Sequence, residues 1–181
     1  MSLATFQWNY NFMYEYAAAH PETSWIVKPH PQLLLSAVSS KLFPSAEAFK
    51  DYLNKWDALP NARVVTGGYY QDIFETSDAM ILDSGSFIAE YQFTHKPMLF
   101  LTRQGARFSE LGDAIIAANY HVDGKDFDGI KNFIEEVLIK KNDTQLEARN
   151  KVFDEEINYV KDNGMLASEK IFRTLDDAFK S

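Results

Sequence analysis

Ala79-Met80-Ile81-Leu82-Asp83-Ser84-Gly85-Ser86-Phe87-Ile88-Ala89-Glu90-Tyr91 decides how this chain is read. The apolar run from Ala79 to Leu82 predicts a buried strand, and a helical pattern starts near Phe87. Asp83 ends the strand, and Ser84-Gly85-Ser86 makes the passage between the two elements. A strand that enters a helix through small hydroxylated residues leaves backbone N–H groups free at the helix start. With the positive end of the helix dipole behind them, such groups bind anions. The stretch therefore predicts an α/β fold with a phosphate pocket at the carboxyl end of one strand.

Working outward, the same alternation recurs. A helical pattern over 4–20 places Phe6, Tyr10, Met13 and Tyr14 near one face and ends before Pro21. Trp25-Ile26-Val27 is a short strand closed by Lys28-Pro29-His30-Pro31, and a looser region follows from Gln32 to Pro44. Ser45 is placed to cap a helix reaching Asp57 that buries Phe49, Leu53 and Trp56. Val64-Val65 begins another strand, Gly67-Gly68 allows a turn, and 69–77 forms a short helix with Ile73 and Phe74. Pro97 to Leu101 is a further buried strand, 108–118 a helix, and Tyr120-His121-Val122 a last strand.

Beyond Gly124 the pattern is helical throughout. Phe127, Ile130, Phe133, Ile134, Val137 and Leu138 share one face. Thr144 and Glu147 have capping-box spacing, and Leu146, Phe153, Ile157 and Val160 continue from them. Asn163-Gly164 breaks that helix, and 168–179 carries Ile171, Phe172, Leu175 and Phe179. The reading is a Rossmann-like parallel sheet flanked by helices over 4–124, with a helical C-terminal extension over 125–181 packed on the same domain. No strand precedes the first helix, which predicts that the chain begins inside a larger domain.

Bulk properties narrow the function. A net charge of -8 across 181 residues argues against nucleic-acid binding, which leaves a basic footprint. Cysteine is absent, so no disulfide framework, thiolate metal site or cysteine nucleophile exists. No apolar run is long enough to cross a bilayer, and the basic residues form no membrane-binding block. His20, His95 and His121 are too dispersed for a metal site, and nothing calls for a cofactor.

Each candidate residue has a plainer reading beside the chemical one. Gly85 can let the backbone approach a phosphate while the Ser86 hydroxyl donates to it; the same residues equally make an ordinary N-cap. Two prolines restrict His30, which suits a ring that donates to phosphate or steadies a leaving group, or one that only hydrogen-bonds locally. Glu90 is placed to accept from a ribose or polyol, although helix glutamates are mostly solvated. Asp83 orients the loop by bonding its N–H groups. Thr66, Gly67, Gly68 and Tyr69 are a candidate flank for a base or ribose.

Taken in order, Trp25-Ile26-Val27-Lys28-Pro29-His30-Pro31, Asp72-Ile73-Phe74, Ser77-Asp78-Ala79, Leu82-Asp83-Ser84-Gly85-Ser86, Glu90-Tyr91 and Lys96-Pro97 resemble the CDP-glycerol glycerophosphotransferases. Those enzymes polymerise teichoic-acid-like chains. The resemblance covers 25–101 and implies the C-terminal, donor-binding half of a GT-B transferase. It implies that Lys28, His30, Ser84, Gly85 and Ser86 face the diphosphate of CDP-glycerol or a nucleotide sugar, with His30 catalytic. It further implies a polymer or lipid-linked acceptor held by a preceding domain, and a cytoplasmic parent peripheral at the inner face of the membrane. Family members commonly carry a Tyr followed by two serines where this chain has Ser84, Gly85 and Ser86. Capsule-polysaccharide and sialic-acid-polymer transferases share a His-Pro element and a serine loop, so a nucleotide-sugar transferase is the alternative. A non-catalytic nucleotide-binding or interaction domain is the other.

Overall fold

The computed structural model describes residues 3–180, so Ser181 at the end of the expected extension lies outside the described residues. Among the described residues five short strands alternate with helices: α1 (Phe6–Ala19), β1 (Trp25–Val27), α2 (Leu33–Ser39), α3 (Ala46–Asp57), β2 (Ala62–Val64), α4 (Gln71–Thr76) and β3 (Met80–Leu82). Then come α5 (Ile88–Tyr91), β4 (Met98–Thr102), α6 (Glu110–Ala117), β5 (Tyr120–Asp123), α7 (Phe127–Asn132), α8 (Leu146–Val152), α9 (Tyr159–Asn163) and α10 (Ala167–Lys180). The fold is α/β, with short parallel sheets flanked by helices. β1 pairs with β2, and β3, β4 and β5 form a second sheet in that order. Every pairing is parallel, as strands joined by helical crossovers require.

The apolar pattern explains the packing. β4 is buried along Met98, Leu99, Phe100 and Leu101, because it is the central strand and helices cover both its faces. Leu99 and Leu101 meet Ile130, Phe133, Ile134 and Val137 on one side. Met98 and Phe100 meet Phe74, Ile88, Tyr91 and Ile115 on the other. Beside the first sheet, Phe43, Phe49, Tyr52, Trp56 and Ala62 form a separate cluster. α1 serves two clusters: Phe6, Tyr10 and Tyr14 pack on the first, Phe12 and Tyr16 on the second, and Met13 on both. Ser45 caps α3 as expected, its hydroxyl accepting from the Ala48 N–H at 3.1 Å.

Four expectations about the elements need correction. The stretch from Gln32 to Pro44, read as loose, contains α2. His30 starts that helix: its Nδ1 accepts the Gln32 N–H at 3.1 Å and its carbonyl accepts the Leu33 N–H at 2.8 Å. β2 begins at Ala62, earlier than Val64, because Asn61 fixes its start. The Asn61 amide donates to the carbonyls of Ala17, His20 and Thr23.

The Thr144–Glu147 capping box does not form. The Thr144 N–H goes to the Tyr120 hydroxyl at 2.8 Å, and the helix starts at Leu146 without a side-chain cap. The helix after Phe87 is one turn, Ile88–Tyr91, continued by a 3-10 turn over Gln92–Thr94 and stopped by the left-handed His95. Further on, α7 runs into a π-helical stretch over Phe133–Ile139, and α8 into another over Phe153–Ile157. No residue of α10 is buried, and Ile171, Phe172, Leu175 and Phe179 are exposed. No helix among the described residues is long and apolar enough to cross a membrane.

Candidate functional site

The turn after β3 is built by what holds its two ends. Asp83 turns away from the turn: its Oδ2 accepts both the N–H and the hydroxyl of Thr5 at 2.7 Å. The expectation that Asp83 orients its own loop therefore fails, since its carboxylate is committed to the start of α1. Thr5 is fully buried, and its hydroxyl also receives the Asn9 amide at 3.1 Å, so the anchor is rigid. On the far side Ile88 is buried against Ile115 and Phe100.

Between these anchors, Gly85 and Ser86 are exposed and Ser84 is half-buried. Among the described residues, the hydroxyls of Ser84 and Ser86 have no protein partner, nor do the N–H groups of Ser84, Gly85 and Ser86. The donors that an anion needs are thus present. The dipole behind them is not: four helical residues sum to a small moment, and Phe87 supplies no side-chain cap. An anion at the turn would be held by the turn's own N–H and O–H groups.

Gly85 does not require a glycine conformation, because its φ lies outside the left-handed region. A β-carbon there would meet the Phe108 ring at 3.7 Å, an ordinary contact. Gly85→Ser, which restores the paired serines of the resembled family, is expected to leave the urea midpoint unchanged within about 0.5 kcal/mol. A clear loss of stability would place the glycine under steric constraint instead.

The second segment leaves β1. Pro29 and Lys28 are half-buried and His30 is exposed. Because Nδ1 of His30 accepts the Gln32 N–H, the neutral ring carries its proton on Nε2. That outward N–H is a donor of the kind a phosphate oxygen accepts. No hydrogen bond joins this segment to Ser84–Ser86 among the described residues, and the two leave strands of different sheets. Thr66, Gly67, Gly68 and Tyr69 follow β2 as an exposed loop, with Gly68 at a φ of 72° and Tyr69 81% exposed. No protein side chain lies within 4 Å of where β-carbons at Gly67 and Gly68 would stand.

Glu90 faces α4. Its carboxylate beside Tyr70 holds that phenol above its ordinary range, and it borders a shallow cleft with Gln71, Glu75, Thr94 and Lys96. Several motif residues have structural work here. The Ser77 and Tyr91 hydroxyls meet at 3.0 Å, and burial pushes the Tyr91 phenol up. Lys96 Nζ donates to the Phe74 carbonyl at 3.3 Å and to the Glu75 carbonyl, closing the end of α4. Ser77, Tyr91 and Lys96 thus tie α4 to the sheet that carries the turn.

Sequence reasoning missed the Phe108 ring beside Gly85, Asp83 reaching Thr5, and Tyr70 beside Glu90. Each joins residues from separate elements, and no local spacing signals them. Among the described residues no group of three or more His, Asp or Glu side chains is arranged to hold a metal ion. No protein-family model matches the sequence, and no curated protein matches it.

Proposed function

We propose that this chain is the donor-binding half of a transferase that moves glycerol phosphate from CDP-glycerol to a cell-envelope polymer. The observation that carries the reading is the Ser84–Ser86 turn, whose hydroxyls and N–H groups are unpartnered at the carboxyl end of a parallel strand. The proton-bearing Nε2 of His30, at the carboxyl end of β1, supports it. The structure pairs β1 with β2 and, separately, β3 with β4 and β5; in the proposal β1 lies beside β3, which gives the doubly wound strand order β2-β1-β3-β4-β5. Ligands of such sheets sit where the order reverses, between β1 and β3. Residues 4–124 form this domain in the proposal, and 125–181 its helical extension.

In this mechanism an acceptor hydroxyl attacks the phosphorus that bears glycerol. The new P–O bond forms as the diphosphate bridge breaks, and CMP leaves. Ser86, the turn's N–H groups and Lys28 hold the diphosphate, while the His30 Nε2–H donates to the departing phosphate as its charge grows. Glu90 and the loop of Thr66, Gly67, Gly68 and Tyr69 are assigned to the polyol, ribose or base. The general base and the polymer or lipid-linked acceptor belong to a preceding domain of a parent at the cytoplasmic face of the membrane.

His30→Ala and Ser86→Ala are each expected to weaken CDP-glycerol binding about tenfold or more by calorimetry, since each removes a hydrogen bond to a charged group. The melting temperature of Ser86→Ala should hardly move, because its hydroxyl is exposed and bonds no protein group, whereas His30→Ala should cost about 0.5–2 kcal/mol, because it removes the ring that accepts the Gln32 N–H at the start of α2. Normal binding by both variants would place the pocket elsewhere. Ser84 and Gly85, standing where the family has Tyr and Ser, favour a nucleotide-sugar transferase as the second reading. Tighter binding of a UDP-sugar than of CDP-glycerol would establish it in place of the first.

A further inference from the structure

We infer that Arg107, on the loop leaving β4, is a phosphate-binding residue of the Ser84–Ser86 turn and supplies the positive charge that the turn lacks; this rests on the donor-binding reading above. The turn offers only neutral donors, and Asp83 immediately before it carries a negative charge. Neutral donors beside a carboxylate are a poor match for a diphosphate, which brings more than one negative charge of its own. Lys28 brings one positive charge from the loop after β1, and a second cation has to come from another neighbouring element.

The sheet indicates which one. Leu82 pairs with Phe100 in a parallel register, so the chain leaving β3 and the chain leaving β4 emerge side by side at one edge. From Thr102 to Ser109 the second chain carries Arg103 and Arg107 and no acidic residue. The loop doubles back at once: the Ala106 N–H reaches the Arg103 carbonyl at 3.3 Å, with Gly105 at a φ of 78°. The reversal delivers Phe108 to the turn, where its ring lies 3.7 Å from a β-carbon built at Gly85.

Phe108 cannot drift. Its ring packs edge-on against Phe100 with centroids 5.3 Å apart, and its β-carbon is 2.9 Å from a β-carbon built at Gly112. Ser109 then caps α6, its hydroxyl accepting the Gly112 N–H at 3.2 Å. The α-carbon of Arg107 is about 3.8 Å from that of Phe108. It is exposed and makes no hydrogen bond or ion pair among the described residues. A planar guanidinium on a long stem at this position reaches over the turn and meets a phosphate with two parallel N–H groups.

The other acids at this edge do not occupy it. Asp123 bonds the Lys125 N–H and Asp126 caps α7 at Gly129. Glu110 and Asp113 sit on the first turn of α6 beyond Phe108.

The test is calorimetric titration of CDP and of inorganic pyrophosphate into the wild type, Arg107→Ala, Arg107→Lys and Ser86→Ala, at two salt concentrations. Arg107→Ala is expected to weaken both ligands about tenfold or more and to flatten the salt dependence. Arg107→Lys should recover part of the affinity, because it restores the charge without the bidentate fork. If Arg107→Ala binds CDP as tightly as wild type while Ser86→Ala does not, Arg107 is no ligand and the donor-binding reading survives. If neither variant differs from wild type, or wild type binds neither ligand, the donor-binding reading falls and the role of Arg107 with it.

Discussion

Arg149→Ala is expected to destabilise the protein by about 3 kcal/mol, a large share of the roughly 5–15 kcal/mol that holds a domain of this kind folded. Arg149 is 2% exposed, although every other residue of its helix is exposed or half-buried. Its guanidinium pairs with both carboxylate oxygens of Asp143 and donates to the His95 carbonyl at 3.3 Å. Tyr120 adds its hydroxyl to the same carboxylate at 3.1 Å, and His95 packs edge-on against Phe153. Removing the arginine leaves a half-buried carboxylate without its counter-ion, and most of the loss comes from that stranded charge. The urea midpoint measures it.

Acid should reproduce part of the same loss. Burial pushes the Asp143 carboxyl up, but the hydrogen bond and charge of Arg149, with help from Gln145 and Tyr120, hold it below the usual carboxylate range. A carboxylate with a lowered folded-state pKa contributes stability that is complete above the unfolded value. That contribution disappears as pH falls through the folded one. The wild type should therefore lose stability more steeply than Arg149→Ala in acid. Parallel curves would mean that the pair contributes nothing.

Phe100→Ala is the second large expectation, at about 3–5 kcal/mol. Phe100 is 1% exposed at the middle of the central strand, among Phe74, Ile88, Tyr91 and Ile115. Truncation leaves a cavity that the strand cannot close, because its hydrogen bonds to β3 and β5 fix the backbone. Phe100→Leu removes less buried area and should cost about 1–2 kcal/mol. The Phe108 ring rests on Phe100 and also meets the turn. Under the donor-binding proposal, Phe100→Ala should thus weaken nucleotide binding even under conditions where it is fully folded. A variant that unfolds early yet binds normally would separate the core from the turn.

The parts of this fold that were legible in the sequence are those decided locally. Trp25–Val27, Met80–Leu82 and Met98–Thr102 are short apolar runs ended by Lys-Pro, Asp or Arg, and they became strands within a residue or so of expectation. Ser45 and Gly164 work by local stereochemistry, one as a cap and one as a left-handed stop, and both were readable. α2 was not, because a histidine ring and carbonyl begin it where a serine or aspartate is usual. Arg149 was hidden because a charged residue on a helix reads as solvated, and its partner Asp143 lies outside the helix.

The same division runs through the candidate site. Ser84, Gly85 and Ser86 were visible as a passage from strand to helix. Phe108 was not visible beside them, because only the pairing of β3 with β4 brings the two loops together. The length of α5 was misjudged for a related reason. Gln92 is buried with its amide donating to the Ile88 carbonyl, so the chain tightens into a 3-10 turn instead of continuing as an α-helix.

The bond between Thr5 and Asp83 also has a meaning in time. The partners are 78 residues apart in sequence, so their contact closes one of the longest loops in the chain. Such closures come late, after neighbouring strands and helices have already paid for their own order. During refolding, β3 and β4 can pair while the start of α1 is still searching. The turn then has a strand on one side and a loose end on the other. Under the donor-binding proposal, anion binding by the turn is accordingly among the last properties the folding chain acquires.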